Sequence, residues 1–404
     1  MTLPRSPGFR RWVAAETAST LGDSVSFFGL GWAATGVGGG TGGLVLTFGS
    51  VPLALLMLLG GVSADRWGIR RMMLCCDVAM CGVMLGAAAL LWSPAGDGRT
   101  GLVVVLCVVS VLSGTAAAMR RPAEGVFARL FVEPEELPRV LATIGSFAQV
   151  VRIAGPAVGG LAVASVGLAG SFLADALTFA VVALALAAVR PPRPDRVGPG
   201  AGEGALRAIA ASVRAARATA GVPAVLSAVT LLAASVLPMV MLSVPLLGHA
   251  RGWGAGATGA VSAGWVVGSL VVTVVVARRG GLGPAAMRAG PVLGGAGGVV
   301  LACASPPGVA VLGTVLVGVG TSLTTTWMIP TFQQLTPTAM LARFQALLQL
   351  AQTSATFVML PLLGLLAGRV DVRVTTVALS GLLLAAVVPL ARVPEWERAP
   401  VPVG

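Results

Sequence analysis

Long apolar runs with few charged residues alternate with short polar segments along the whole chain. Runs of about 20 residues are what a helix needs to cross the hydrocarbon core of a bilayer, so each run predicts a transmembrane helix. The predicted helices lie at 12–36, 43–62, 72–92, 101–119, 140–164, 168–189, 223–247, 256–277, 287–304, 309–332, 341–367 and 374–392. The pattern therefore predicts an all-α integral membrane protein with twelve transmembrane helices in two six-helix bundles.

A segment rich in proline and glycine separates the sixth predicted helix from the seventh. It runs from Pro191 to Gly204, and its composition excludes a helix. Beyond this segment, the pattern of apolar and basic residues at 205–220 predicts a short helix. This helix lies either on the cytoplasmic leaflet or in solvent. The predicted domains are an N-terminal bundle at 1–190, a cytoplasmic linker at 191–222 and a C-terminal bundle at 223–404.

Arginines are concentrated in alternate loops. If the N-terminus is cytoplasmic, 22 arginines face the cytoplasm, four face the outside, and Arg152 remains inside a helix. This asymmetry follows the positive-inside rule, so we expect a bacterial inner-membrane protein with both termini in the cytoplasm. The net charge of +12 then reflects membrane orientation and not a surface for nucleic acid.

Several kinds of chemistry find no support in the sequence. The five cysteines lack CxxC spacing and His249 is the sole histidine, so we expect no disulfide framework and no metal site. We expect His249 to be an ordinary residue at the outer end of its helix. A GxxxxGK[ST] loop and a Ser/His/Asp set are both missing from the sequence. We therefore expect neither an ATP-driven pump nor an enzyme, and no cofactor.

Two acidic residues interrupt the first apolar run. Glu16, Thr20, Asp23 and Phe27 follow at steps of four, three and four residues, which places them on one face of a helix. An ionised group at mid-membrane costs about 2.5–3.5 kcal/mol, so such residues have a function or a partner. We expect the deeper Asp23 to carry a proton, whereas Glu16 either does the same or lies in the membrane interface. Thr20 and Phe27 are candidates for contact with a substrate.

Other ionisable residues lie in later helices of the first half. Arg152 needs a carboxylate partner if it is buried, and we predict Asp23 first and Asp175 second. Gln149, one turn before Arg152, is a candidate for contact with a substrate. Asp77 and Asp175 are either proton-coupling residues or structural partners that hold the first bundle together.

The second half offers uncharged polar residues, because no acid occurs between Gly204 and Val370. Any proton-carrying carboxylate is therefore expected in the first half. Amides and hydroxyls at helical spacing either line a ligand cavity or join neighbouring helices by hydrogen bonds. The candidates are Gln345, Gln349, Gln352 and Thr356 in the eleventh predicted helix and Thr325 and Trp327 in the tenth.

Two glycine-containing motifs give the chain a resemblance to a known family. The loop after the second helix has the pattern G-x-x-x-D-R-x-G-x-R-R, and the fifth helix contains G-P-x-x-G-G. The residues are Gly61, Asp65, Arg66, Gly68, Arg70 and Arg71 in the loop and Gly155, Pro156, Gly159 and Gly160 in the helix. These motifs resemble those of the major facilitator superfamily. The stretches 9–24, 121–123 and 175–179 resemble its enterobactin-exporter and macrolide-efflux branch.

The resemblance implies secondary active export of a small amphipathic drug or natural product, of antibiotic or siderophore type, coupled to protons by alternating access. It implies a cytoplasmic latch at the loop, although the loop arginines alone would also set topology. It further implies a packed hinge face in the fifth helix, where the Gly-Pro pair alone would make only a kink. A facilitator or importer of the same fold is the alternative, and a non-transporting receptor or scaffold is a third. The expected partners are the small-molecule substrate, protons and membrane lipid, with no nucleic acid, and we expect a monomer.

Overall fold

The computed structural model describes residues 7–93, 98–133, 136–189, 213–279, 284–336 and 341–393, which form helices joined by short turns, without a strand among them. The helices of the first half are α1 (Pro7–Val37), α2 (Gly39–Trp67), α3 (Ile69–Trp92), α4 (Arg99–Phe127) and α5 (Leu137–Ala188). Those of the second half are α6 (Val222–Pro238), α7 (Val244–Ala250), α8 (Ala255–Arg279), α9 (Pro284–Cys303), α10 (Pro307–Leu335), α11 (Leu341–Ala367), α12 (Val372–Ala385) and α13 (Val387–Leu390).

Most of these helices have the length and composition of membrane spans. Nine stretches of the described residues are long and apolar enough to cross a bilayer. Every one of the twelve predicted ranges overlaps a helix, so the predicted all-α membrane architecture is confirmed. The nine stretches do not include α1 or α2, so length and composition alone do not establish the number twelve.

The fifth and sixth predicted helices, 140–164 and 168–189, are two helical stretches that meet at Gly167, and α5 comprises both of them. Within α5, Gly167 departs from helical geometry, with φ 72° and ψ −179°. Glycine has no Cβ and adopts a positive φ without strain, so a single residue suffices for the change of direction. The chain therefore passes directly from one helical stretch into the next.

α4 is longer than its sequence predicts. The predicted helix ends at residue 119 because Arg120 and Arg121 follow the apolar run, and adjacent arginines are typical of a loop. In the structure the helix continues to Phe127. Arg120 and Glu124 thus lie one turn apart on the same helix, where they form an ion pair.

Contacts divide the chain into two units. Unit 1 comprises Met1–Gly202, Val244–Ala263 and Leu360–Arg369, and unit 2 comprises Glu203–Ser243, Gly264–Met359 and Val370–Gly404. Unit 1 thus contains α1 to α5 together with α7 and parts of α8 and α11. Residues 191–212, which include most of the predicted linker and half of its predicted helix, lie outside the described residues, so the domain boundaries stay a prediction.

The helices of unit 1 approach each other closely at glycines. A Cβ at Gly22 of α1 would overlap with Asp175 and Thr178 of α5, and Gly155 and Gly159 of α5 lie equally close to α1. Small residues let helix backbones approach in lipid, where the hydrophobic effect contributes little to association between helices. α1 is therefore held closely against α5.

The second-half segments that belong to unit 1 pack in the same manner. Gly364 of α11 lies backbone to backbone against Gly43 of α2, and Gly259 of α8 lies against Gly160 of α5. A side chain at Gly43, Gly364, Gly160 or Gly259 would force two backbones apart, so these contacts tolerate no larger residue. The π-helical segment Met239–Ser243 leads directly into α7.

Unit 2 repeats this mode of packing. Gly320 of α10 lies against Gly290 of α9, and Gly318 of α10 lies against the backbone of α8. Thr324 Oγ1 donates a hydrogen bond of 3.3 Å to the backbone oxygen of Met287. Small residues and a hydroxyl therefore lie at these close helix contacts of unit 2, and its described core, which is largely apolar, contains no acid.

Candidate functional site

Arg120 of α4 binds carboxylates from three helices. Its Nη1 and Nη2 donate to Glu16 Oε1 and Oε2 of α1 at 2.8 and 2.6 Å. Its Nε donates to Asp77 Oδ1 of α3 at 2.7 Å, and Nη1 also donates to Glu124 Oε2 of α4 at 3.3 Å. These four residues, here called the Arg120 cluster, fix α1, α3 and α4 to one another. A planar guanidinium suits this role because its donors point in fixed, different directions.

Carboxyl groups outnumber the guanidinium in the Arg120 cluster. The side chain of Asp77 is 0% exposed, that of Glu16 8% and that of Glu124 33%. Asp77 Oδ2 has no hydrogen-bond partner among the described residues. Burial and the neighbouring Glu16 raise the pKa of Glu124 to about 7, while Arg120 and Arg121 oppose that rise. Glu124 is thus able to gain and lose a proton near neutral pH.

Asp23 lies on the same face of α1 as Glu16, two turns further along the helix. Asp23 is exposed and Phe27 is 45% exposed, and on the opposite face Ala14 and Ala18 are exposed as well. Since Glu16 reaches Arg120 on α4, the face that it shares with Asp23 points into the bundle. Asp23 therefore lies on the face of α1 that is turned toward α4.

Charged residues surround Asp23. They are Asp175 of α5, Arg120 of α4, Glu16 of α1 and Asp77 of α3. Thr20, between Glu16 and Asp23, donates from Oγ1 to the backbone oxygen of Glu16 at 2.9 Å. Three acids and one arginine therefore lie within electrostatic range of the Asp23 carboxyl.

Asp175 lies against α1 at Gly22 and is 0% exposed. Thr178 Oγ1 donates to Asp175 Oδ1 at 3.1 Å. Asp175 Oδ2 and Ser26 Oγ are buried without a hydrogen-bond partner among the described residues. No arginine of the described residues is thus seen to bind Asp175, whereas Arg120 binds Asp77.

Several predicted residues have side chains outside the described part of the structure. They are Gly61, Asp65, Arg66, Gln149, Arg152, Gln345 and Gln349. The predicted partnership of Arg152 with Asp23 or Asp175 is thus untested, and the predicted roles of the other residues stay predictions too.

The loop between α2 and α3 turns at Gly68, whose φ of 89° would strain any other residue. Arg70 then reaches the end of α5, where Nε donates to Leu186 O at 2.8 Å and Nη2 donates to Ala187 O at 2.6 Å. Cations are favourable at the C-terminal end of a helix because its last carbonyl groups lack partners. Arg71 is exposed. Arg70 therefore joins this loop to α5 within unit 1.

The fifth-helix motif lies in close contact on two sides. Gly155 and Gly159 face α1, while Gly160 faces α8. Pro156 keeps helical geometry, because Gly167 is the residue at which α5 departs from it. This geometry favours a packed face over a kink at Pro156.

The candidates in unit 2 divide into two groups. Trp327 is 6% exposed, and Thr356 Oγ1 donates to Ala233 O of α6 at 3.3 Å. These two residues contribute to helix packing, which is the alternative that the sequence left open. Gln352 and Thr325 are half-buried, and Thr325 Oγ1 donates to the preceding turn of its own helix.

His249 of α7 contacts Trp32 of α1. The two rings stack with centroids 3.8 Å apart and planes 23° from parallel, and His249 Nε2 lies 2.9 Å from Trp32 O. A Cβ at Gly36 would lie 3.0 Å from the imidazole ring, so this glycine provides the space for the stack. His249 is thus part of a specific contact between α7 and α1.

The roles of Arg120 and Glu124 were not predicted from the sequence, because both residues lie beyond the predicted end of the fourth helix. The available signal was their spacing, since opposite charges four residues apart stabilise a helix. Among the described residues, no group of three or more His, Cys, Asp or Glu side chains is arranged to hold a metal ion. The described charged groups of the site are carboxyl groups and an arginine.

Comparison with known proteins identifies relatives. A family model described as Major Facilitator Superfamily matches residues 13–359. The multidrug efflux pump Tap of Mycobacterium tuberculosis (strain ATCC 25618 / H37Rv) is 30% identical over 195 residues, which are 46% of this chain and 45% of that pump. The same pump of Mycobacterium bovis (strain BCG / Pasteur 1173P2) matches to the same extent. The match thus spans less than half the length of these relatives.

Solved structures share the fold at low sequence identity. The crystal structure of a D-xylose-proton symporter has a TM-score of 0.70 at 12% identity, covering 95% of this chain and 98% of that one. A bacterial homologue of the iron transporter ferroportin, in an inward-facing state, has a TM-score of 0.67 at 16% identity, covering 95% and 97%. At these identities the likeness concerns the fold alone.

Proposed function

The chain belongs to the major facilitator superfamily, and we propose that it exports a small amphipathic drug or natural product in exchange for protons. The substrate class is of antibiotic or siderophore type. The partial similarity to a multidrug efflux pump supports export, and the family and the helical fold point to a transporter and not to an enzyme.

One observation carries the proposal of proton exchange. Asp23 presents a carboxyl group on the inner face of α1, with the exposed ring of Phe27 one turn away. A carboxyl and an aromatic ring side by side suit an amphipathic ligand, because the ring contacts its apolar part and the carboxyl its polar part. The same carboxyl binds a proton when the ligand leaves, so proton and substrate compete for one residue.

The proposed mechanism is alternating access around this residue. Protonation of Asp23 removes one negative charge from a region that also contains Asp175, Glu16 and Asp77, and so changes the relative stability of the two access states. A proton that crosses the membrane with the potential contributes about 2.3 kcal/mol per 100 mV.

The remaining roles follow from this mechanism. We assign the loop from Gly61 to Arg71 to the cytoplasmic latch and Gly155 to Gly160 to the packed face that limits leakage. Gln352 and Thr325 are the second-half candidates for ligand contact. We further propose a monomer in the inner membrane of a bacterium, with both termini in the cytoplasm and with lipid around it, that uses no cofactor and binds no nucleic acid.

A facilitator or importer of the same fold is the second candidate. It is favoured by the likeness to a proton symporter, since the fold serves transport in either direction relative to the proton. Counterflow of substrate without any ion gradient would support this alternative.

The experiment uses inside-out vesicles that contain the full chain. Amphipathic antibiotics and siderophores are first screened for compounds that raise its thermal unfolding midpoint. Accumulation of such a compound is then measured with an acidic vesicle interior. Accumulation should vanish when an ionophore removes the proton gradient and in Asp23→Asn, but not in the control Glu136→Gln, which alters an exposed acid. Accumulation that ignores the gradient and survives Asp23→Asn would refute proton exchange at Asp23.

A further inference from the structure

We propose that Glu124 is the group through which protons pass between Asp23 and the cytoplasm, with Glu16 as the intermediate acceptor. This inference rests on the proposed function, in which Asp23 carries the proton. It assigns a role to an acid beyond the apolar part of α4, which ends at Arg121.

Three carboxyl groups, those of Asp23, Glu16 and Glu124, follow one another in this order from α1 to α4. Asp23 and Glu16 share one face of α1 and lie about 10 Å apart along its axis, with Thr20 between them. Glu16 and Glu124 both accept a hydrogen bond from Arg120 Nη1. Their oxygens are therefore separated by no more than two hydrogen-bond lengths. Glu124, with a side chain 33% exposed, is the most exposed member of the Arg120 cluster.

The contacts within the cluster suit proton passage. The ion pair between Glu124 and Arg120, at 3.3 Å, is the longest in the cluster. In contrast, both carboxylate oxygens of Glu16 accept hydrogen bonds from Arg120. The charged groups that face Glu124 in the described structure are Glu16 and Asp23 from α1 and Arg120 and Arg121 from its own helix, with Asp77 of α3 on the far side of Arg120. Burial among these acids raises the pKa of Glu124 to about 7, which allows exchange in both directions at cytoplasmic pH.

The proton balance is simple. Asp23 in its acid form loses a proton through water to the Glu16 carboxylate, which becomes the acid. Glu16 then passes the proton to the Glu124 carboxylate, and Glu124 releases it to water. Arg120 stays a cation throughout, because a guanidinium does not lose its proton in proteins. Uptake follows the same steps in reverse, and no oxidant or other reactant takes part.

The test uses the full chain in nanodiscs and needs no substrate, because the probe is the proton. After a rapid change from about pH 6 to about pH 8, the infrared band of protonated carboxyl groups is followed in time. The Asp23 component is identified as the part of the band that Asp23→Asn removes. The variants are Glu124→Gln, Glu124→Ala and Glu124→Asp, with Glu136→Gln as the control because Glu136 is exposed and caps no helix through its side chain.

Both removal variants should slow deprotonation of Asp23 about tenfold or more, while Glu124→Asp and Glu136→Gln should stay near the unmodified rate. Recovery in Glu124→Asp distinguishes a proton carrier from a residue that only supports the structure, since it restores the carboxyl on a shorter side chain. Unmodified rates in Glu124→Gln or Glu124→Ala would overturn the role of Glu124 and leave the proposed function intact. If Asp23→Asn removed no component, the proposed function itself would fail.

Discussion

Removal of the Arg120 guanidinium is expected to destabilise unit 1 strongly. Arg120→Ala leaves Glu16 and Asp77 with side chains 8% and 0% exposed and without the cation that binds them. Loss of one partner from a buried ion pair costs about 3–5 kcal/mol, because the other charge stays desolvated. We expect a loss in this range, reduced at acid pH, where a protonated carboxyl carries no charge to desolvate.

The assay is thermal unfolding of the purified protein, followed by the fluorescence of its eight tryptophans. Arg120→Ala should have the lowest unfolding midpoint. Arg120→Lys should have an intermediate midpoint, because lysine supplies the positive charge but not the planar set of donors of the guanidinium. The triple variant Arg120→Met, Glu16→Gln, Asp77→Asn should recover much of the loss, since it removes the buried charges together. A midpoint of Arg120→Ala equal to that of the unmodified protein, at neutral pH, would refute this account of the Arg120 cluster.

Three further perturbations test other contacts. Gly22→Val should separate α1 from α5 at Asp175 and lower both the unfolding midpoint and transport, whereas an unchanged midpoint would contradict the close approach. His249→Ala should lose a ring stack and a hydrogen bond to Trp32, together about 1–3 kcal/mol, and His249→Phe should lose less because it keeps the stack. The raised pKa of Glu124 means that the folded protein disfavours its ionised form, so stability should fall as pH rises from about 4.5 to about 7. Glu124→Gln should flatten that slope in a titration of the unfolding midpoint, and an unaltered slope would exclude Glu124 as its source.

The helical architecture was predictable because a membrane span requires about 20 apolar residues in sequence, which is a local property. The position of Glu16 and Asp23 on one face of α1 was predictable for the same reason, since it follows from their spacing in the sequence and the helical period. The end of α4 was predicted wrongly for the opposite reason. Arg120 looks like a loop residue until Glu16 and Asp77, which are far away in sequence, are brought to it by folding.

Other features also depended on tertiary contacts. The stack of His249 on Trp32 joins residues more than 200 positions apart, and no local pattern indicates it. The side chain of Trp327 is 6% exposed, and this burial could not be predicted because spacing along one helix does not reveal which face its neighbours cover. Helix rotation and pairing between helices therefore limited the prediction of the site more than helix formation did.

Proton movement driven by the substrate tests the central claim most directly. Proteoliposomes that contain the protein and a trapped pH indicator are given an outward gradient of a compound identified by the thermal screen, with no imposed pH gradient. We predict that protons move inward as the compound leaves, and that Asp23→Asn abolishes proton movement while still permitting exchange of the compound. Exit of the compound without proton movement, or protons leaving together with it, would contradict proton exchange at Asp23.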